Sequence, residues 1–175
     1  MDFNKHEVYF STFTIEGWTP IFEDFPGCKI LICDSLGFLF LKKKINVFGF
    51  VIMIDHIHLL WECLDVGGFN TVTTSFKKYT GKQIKEYLQE NEPLYLSNFV
   101  SERKDRVHKL WKLKTSSTRI LHPQIYNQKL NYIHLNPTRG KYKMAELPEE
   151  YKYSSAQSYF VNKSFFQFLT VLKVG

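Results

Sequence analysis

Ile45–Leu64 reads INVFGFVIMIDHIHLLWECL, and the fold turns on this stretch. Ile45–Met53 is a continuous apolar run, too short and too β-branched for a helix, and it reads as a buried strand. Ile54 and Asp55 form a tight turn, and His56–Leu64 returns as the next strand. Residues two apart on a strand share a face. His56 and His58 should therefore leave one face together, with Ile57, Leu59 and Trp61 on the other. Two adjacent imidazoles suit a divalent metal, although a histidine pair at a sheet face also serves plain hydrogen bonding.

Working outward, Val8–Ile15 (VYFSTFTI) is a first strand, broken by Gly17 and Pro20. Cys28, Leu31, Ile32, Ser35, Leu36 and Leu39 recur at helical spacing, which predicts a helix over Phe25–Lys44. Lys42, Lys43 and Lys44 suit its C-terminal end. After the strand pair, Asn70–Gln89 is an amphipathic helix. Its polar face carries Lys77, Lys78, Lys82 and Lys85, either a solvated surface or a contact for phosphates. Asn91–Val107 is polar, broken by Pro93, and reads as a short helix between loops. Leu110–Leu113 is strand-like around Trp111, Thr115–Thr118 a polar loop, and Arg119–Leu121 a short last strand. Gln124–Leu135 is a helix that Asn136-Pro137 stops. Ser154–Phe160 is a short helical candidate ahead of an apolar end, Phe165–Leu172.

The order of elements predicts an α+β, ferredoxin-like βαββαβ sandwich with an antiparallel sheet and C-terminal helical additions. Two helices should cover one sheet face and leave the other for a site or a further element. The 175 residues suit one domain, with a core over about 8–140 and an extension over about 141–175. A net charge of +6 and a pI of about 9.1 are compatible with a polyanionic partner. Cys28, Cys33 and Cys63 show no CxxC spacing, which argues against a disulfide framework and fits a reducing cytoplasm. The N-terminus lacks a signal-peptide pattern and no stretch is long enough to span a bilayer, so a soluble protein with no membrane partner is expected.

On the helix from Gln124, Tyr126, Leu130 and Ile133 form the apolar stripe. Tyr132 lies nearly opposite Leu130. Asn136 is four residues from Tyr132, so the two share a face if the last turn stays helical. A tyrosine above a carboxamide resembles a nucleophile beside a metal ligand. Taken alone it is also ordinary surface packing.

HIHLL and the later NYIHLNPTRG resemble the single-tyrosine HUH transposases of insertion sequences that move as single-stranded DNA. With VYFSTFTIEGW, SFKKYTGKQI and YKYSSAQSY, the chain is most similar to the REP-associated tyrosine transposase branch, over about residues 8–160. The resemblance implies Tyr132 as nucleophile, His56, His58 and Asn136 as ligands of Mg²⁺ or Mn²⁺, and a 5′-phosphotyrosine intermediate. It implies single-stranded DNA with hairpins as partner, in the bacterial cytoplasm. Lys77, Lys78, Lys82, Lys85, Arg119 and Arg139 are the candidate DNA contacts, since single strands are held by positive grooves and stacking rings. Trp111 is a candidate for stacking or for the core. Insertion-sequence relatives share active sites across a homodimer, whereas the REP-associated branch resembles a monomer. Relatives often carry Pro-Asn or Ser-Asn where this chain has Ile54-Asp55, and Val-Arg-Ala-Gly where it has Thr138-Arg139-Gly140-Lys141. Neither departure removes a ligand or the nucleophile. An inactive nucleic-acid-binding module and a phosphodiesterase using water are the competing readings.

Overall fold

In the computed structural model, which describes residues 7–100 and 109–173, four strands form one antiparallel sheet in the order β2-β3-β1-β4. These are β1 (Val8–Thr14), β2 (Ile45–Ile52), β3 (His56–Cys63) and β4 (Ser116–Arg119). A four-residue helix, α1 (Ile21–Asp24), precedes α2 (Gly27–Leu41), which links β1 to β2. The long α3 (Gly68–Asn91) follows β3. This is the ferredoxin-like βαββαβ arrangement. It places β1 and β3, the two central strands, side by side with seven residue pairs from Val8↔Glu62 to Thr14↔His56.

The alternation along β3 sorts its side chains between two cores. Ile57, Leu59 and Trp61 enter the core beneath α2 and α3, with Phe13, Ile32, Leu36, Val72, Phe76 and Ile84. Removing each such aromatic or branched side chain from water contributes about 1.5–3 kcal/mol. Leu60 faces the other way, into a second core with Val8, Val51, Ile120, Tyr126, Leu130 and Ile133. The last three of these belong to the sheet's second cover, because Tyr126, Leu130 and Ile133 form the apolar stripe of α4 (Pro123–Leu135). The second face thus takes a helix, and that helix carries Tyr132. A side chain at Gly49 would put its Cβ 2.7 Å from Leu130 Cδ1, so the glycine sets how closely α4 lies on the sheet.

Two segments differ from the sequence expectation. The last strand is Ser116–Arg119, ending where the expected Arg119–Leu121 begins. All four residues are exposed, so this edge strand carries none of the apolar alternation that marks the others, and Ile120 instead packs in the second core. Around Trp111 the expected strand reduces to one bridge, Ile15↔Trp111. In the polar stretch after α3 the expected short helix is the 3-10 helix Pro93–Phe99, and residues 101–107 lie outside the described residues. The tail runs along the free edge of β2. Ile52 N–H donates to Tyr153 O, Ser155 N–H to Phe50 O and Thr170 N–H to Val47 O, which caps an edge that would otherwise be bare. The short α5 (Ala156–Phe160) follows this contact. No helix among the described residues is long and apolar enough to cross a membrane.

Candidate active site

The two histidines sit on β3 opposite Thr14 and Thr12 of β1, on the α4 face of the sheet. Their rings are 4.7 Å apart, centre to centre, at 72°. Each has its Nδ1 engaged. His56 Nδ1 meets Asp55 Oδ1 at 2.5 Å, and His58 Nδ1 meets Thr12 Oγ1 at 2.9 Å. With the proton on Nδ1, Nε2 is the nitrogen that carries the lone pair in each ring, the arrangement by which carboxylates and hydroxyls orient metal-binding imidazoles. His58 Nε2 is buried and has no hydrogen-bond partner among the described residues. Burial, with the neighbouring His56 and Lys129 charges, lowers the His58 pKa to about 3. His58 is therefore neutral at physiological pH, the state a metal ligand requires. No cluster of three or more His, Cys, Asp or Glu side chains able to hold a metal is found among the described residues. The donor set near the histidines would need oxygen from a carboxamide or substrate.

Tyr132 comes down from α4 onto this pair. Its ring lies 5.1 Å from that of His58 and 5.9 Å from that of Phe10, and the side chain remains 49% exposed. The nucleophile candidate and the histidines thus meet within one chain. Asn136 keeps helical backbone angles (φ −56°, ψ −46°), so the last turn does carry it beneath Tyr132. Tyr132, Asn136 and Arg139 line one cleft of about 220 Å³ with Leu135 and Gly140.

Lys129, three residues before Tyr132, holds its ammonium 4.8 Å from the centre of the Phe10 ring, and its charge reaches His58. Sequence reasoning passed over this lysine, although the i, i+3 spacing from Tyr132 was the available signal. It also passed over Thr12 and Asp55, whose roles depend on cross-strand register and on side-chain rotamer. His134 is occupied elsewhere: its Nε2 lies 3.0 Å from Ser155 Oγ, its ring packs on Tyr159, and burial lowers its pKa to about 4.

The four α3 lysines are in another layer. Because α3 buries Val72, Phe76 and Ile84 in the core with Ile57 and Trp61, it covers the face opposite the histidines. Lys77, Lys78, Lys82 and Lys85 line a groove of about 470 Å³ there, over Leu96 and Phe99. Lys77 donates to the Lys112 and Leu113 carbonyls at 2.7 and 2.8 Å, and Lys82 lies 3.6 Å from Glu86. Arg119 is exposed on the β4 edge, and only Arg139 shares the Tyr132 cleft. Trp111 is a core residue, its indole N–H donating to Thr80 Oγ1 at 3.0 Å.

No model of a known protein family matches this chain, and no curated protein matches it. Among solved structures, it is similar to a REP-associated tyrosine transposase bound to a REP hairpin. The TM-score is 0.61 at 12% identity, over 97% of this chain and 88% of that one. At that identity the likeness speaks for the shared fold.

Proposed function

We propose that the protein is a metal-dependent transposase that nicks and rejoins single-stranded DNA through Tyr132. The observation that carries this reading is the Tyr132 ring 5.1 Å from His58, whose buried Nε2 has no partner among the described residues. His56, His58 and the Asn136 carboxamide would hold Mg²⁺ or Mn²⁺, which supplies Lewis acidity at the scissile phosphate. Asp55 and Thr12 fix the two imidazoles. Lys129, whose charge reaches His58, would attract the phosphate bound there.

Tyr132 Oη loses its proton and attacks phosphorus in line, and the bond from phosphorus to the 3′ oxygen breaks. The 3′ oxygen takes up a proton and leaves as a free hydroxyl, while the 5′ phosphate stays on Tyr132. The tyrosyl ester conserves the phosphodiester, so a 3′-OH from another strand reverses the step and joins DNA. Half-exposure of Tyr132 suits a strand that must enter and leave. Tyr132 and the histidine pair meet within one chain, so this reading needs no second copy to bring them together. Arg139 is the phosphate contact within the cleft, with Arg119 and the α3 lysines holding flanking DNA or hairpin.

The test is incubation with single-stranded hairpin DNA and Mn²⁺, followed by denaturing electrophoresis. A covalent adduct is expected from the native protein and none from Tyr132→Phe. An adduct surviving that substitution removes Tyr132 as nucleophile. Cleavage without an adduct makes water the nucleophile, and binding without cleavage makes the chain a binding module.

A further inference from the structure

Trp18 is a large aromatic side chain held out in solvent beside the histidines, and the fold accepts strain to keep it there. It is 56% exposed, whereas Trp61 and Trp111 are buried at 1% and 6%. Its backbone has φ 57°, a left-handed conformation that costs a bulky residue free energy and that glycine would adopt freely. Its position is fixed on several sides. Trp18 N–H donates to Ile15 O, Glu16 N–H donates to Leu110 O, and Glu16 forms an ion pair with Lys109 at 2.6 Å. The indole and the His56 ring lie 6.2 Å apart between centres, nearly perpendicular at 82°. Lys112 Nζ lies 3.9 Å from the indole centre, on one of its faces. An anchored, exposed ring bearing a cation, one side chain away from a candidate phosphate site, has the elements by which proteins hold single strands: a π-face for a base and a charge for its phosphate.

We propose that Trp18 and Lys112 form a nucleotide subsite, in which a base of single-stranded DNA flanking the scissile phosphate stacks on the indole. The subsite rests on the reading of His56 and His58 as the place where that phosphate is held. Lys112 meets the adjoining phosphate. Stacking is tolerant of base identity, so the subsite fixes the strand's path, leaving sequence to be read elsewhere.

Tryptophan fluorescence tests this without any requirement for turnover. In the full chain, short oligothymidylate should quench the emission of the exposed indole. Trp18→Phe should remove that quenching while nearly preserving affinity, and Trp18→Ala should weaken binding about five- to hundredfold, the usual range for losing one stacked base. Trp18→Gly should bind as weakly as Trp18→Ala with an undiminished melting temperature, because glycine relieves the left-handed backbone. An indole kept only for packing would instead lower the melting temperature and leave affinity unchanged. In the hairpin adduct assay, an abasic site placed in turn on each side of the cleaved bond should slow adduct formation at one of the two positions. An adduct that forms at full rate with Trp18→Ala, without quenching by oligothymidylate, overturns the subsite and leaves the Tyr132 reading standing. Quenching without an adduct upholds the stacking site and removes the transposase reading.

Discussion

Removing the Asp55 carboxylate should weaken divalent-metal binding while leaving the fold intact. Asp55 Oδ1 lies 2.5 Å from His56 Nδ1, both side chains being mostly buried, at 12% and 19% exposure. A charge-assisted contact of this length sets the ring's orientation and raises the basicity of its other nitrogen. Loss of such a partner typically costs ten- to a hundredfold in metal affinity, about 1.4–2.7 kcal/mol. Asp55→Asn keeps an oxygen acceptor and loses the charge, so its effect should fall near the lower figure; Asp55→Ala loses both and should approach the upper. The scaffold should hold, because what ties this turn to β1 is backbone, with Ile15 N–H donating to Asp55 O at 2.9 Å. The assay is titration of metal-stripped protein with Mn²⁺, following the free ion by electron paramagnetic resonance, alongside thermal melting. Equal Mn²⁺ affinity in native, Asp55→Asn and Asp55→Ala proteins would refute the orienting role of the carboxylate. If His56→Ala also binds Mn²⁺ normally, the strand histidines are not its site.

Acid should destabilise the metal-free protein through two buried imidazoles. Burial leads the lowering of His58 to about 3 and His134 to about 4, both from 6.5, so the folded state holds them neutral where the unfolded chain takes up protons. This stability is complete above about pH 6.5 and falls as pH drops towards 4, by about 1.4 kcal/mol per unit for each residue. Urea midpoints measured from pH 7 to 5 should fall, and less steeply in His134→Gln; a flat profile would refute the assignment. Ser155→Ala should cost about 2–4 kcal/mol in urea unfolding, since it deprives both Phe50 N–H (3.0 Å) and His134 Nε2 of their buried partner. A loss below about 0.5 kcal/mol would show that water replaces the hydroxyl.

The strand pair and the side of β3 that each histidine takes were legible because alternation is a local property. MIDHIHLLWE carries its own face assignment, and α2, α3 and α4 announce themselves by apolar spacing. What lies beyond one element was not legible. The SSTR edge strand has no buried side to imprint a pattern, so its hydroxyl residues read as a loop. The α3 lysines mark a helix face correctly, but periodicity does not say which side of the sheet a helix will cover, and these lie opposite the histidines. Thr12 becomes a partner of His58 only once β1 and β3 are paired in register. Trp18 reads as part of a Gly/Pro break, and its exposure and left-handed backbone emerge only with the fold.

The placement of the proposed nucleophile depends on parts of the chain outside the candidate site. The histidines are rigid by construction, on a central strand bonded on both sides. Tyr132 instead rides on α4, whose position depends on its packing in the second core and on contacts with the rest of the chain. Gly49 lets Leu130 approach the sheet, His134 meets Ser155, and Tyr126 Oη donates to Leu172 O at 3.2 Å. Two of the three come from the C-terminal tail, which is itself stitched to the edge of β2. Because a displacement near 1 Å can cost about a hundredfold in a positioned reaction, damage to the tail should appear first as lost strand transfer with the histidine pair still in place. That separation gives the C-terminal extension a physical purpose: it closes a sheet edge and holds the tyrosine helix over the imidazoles.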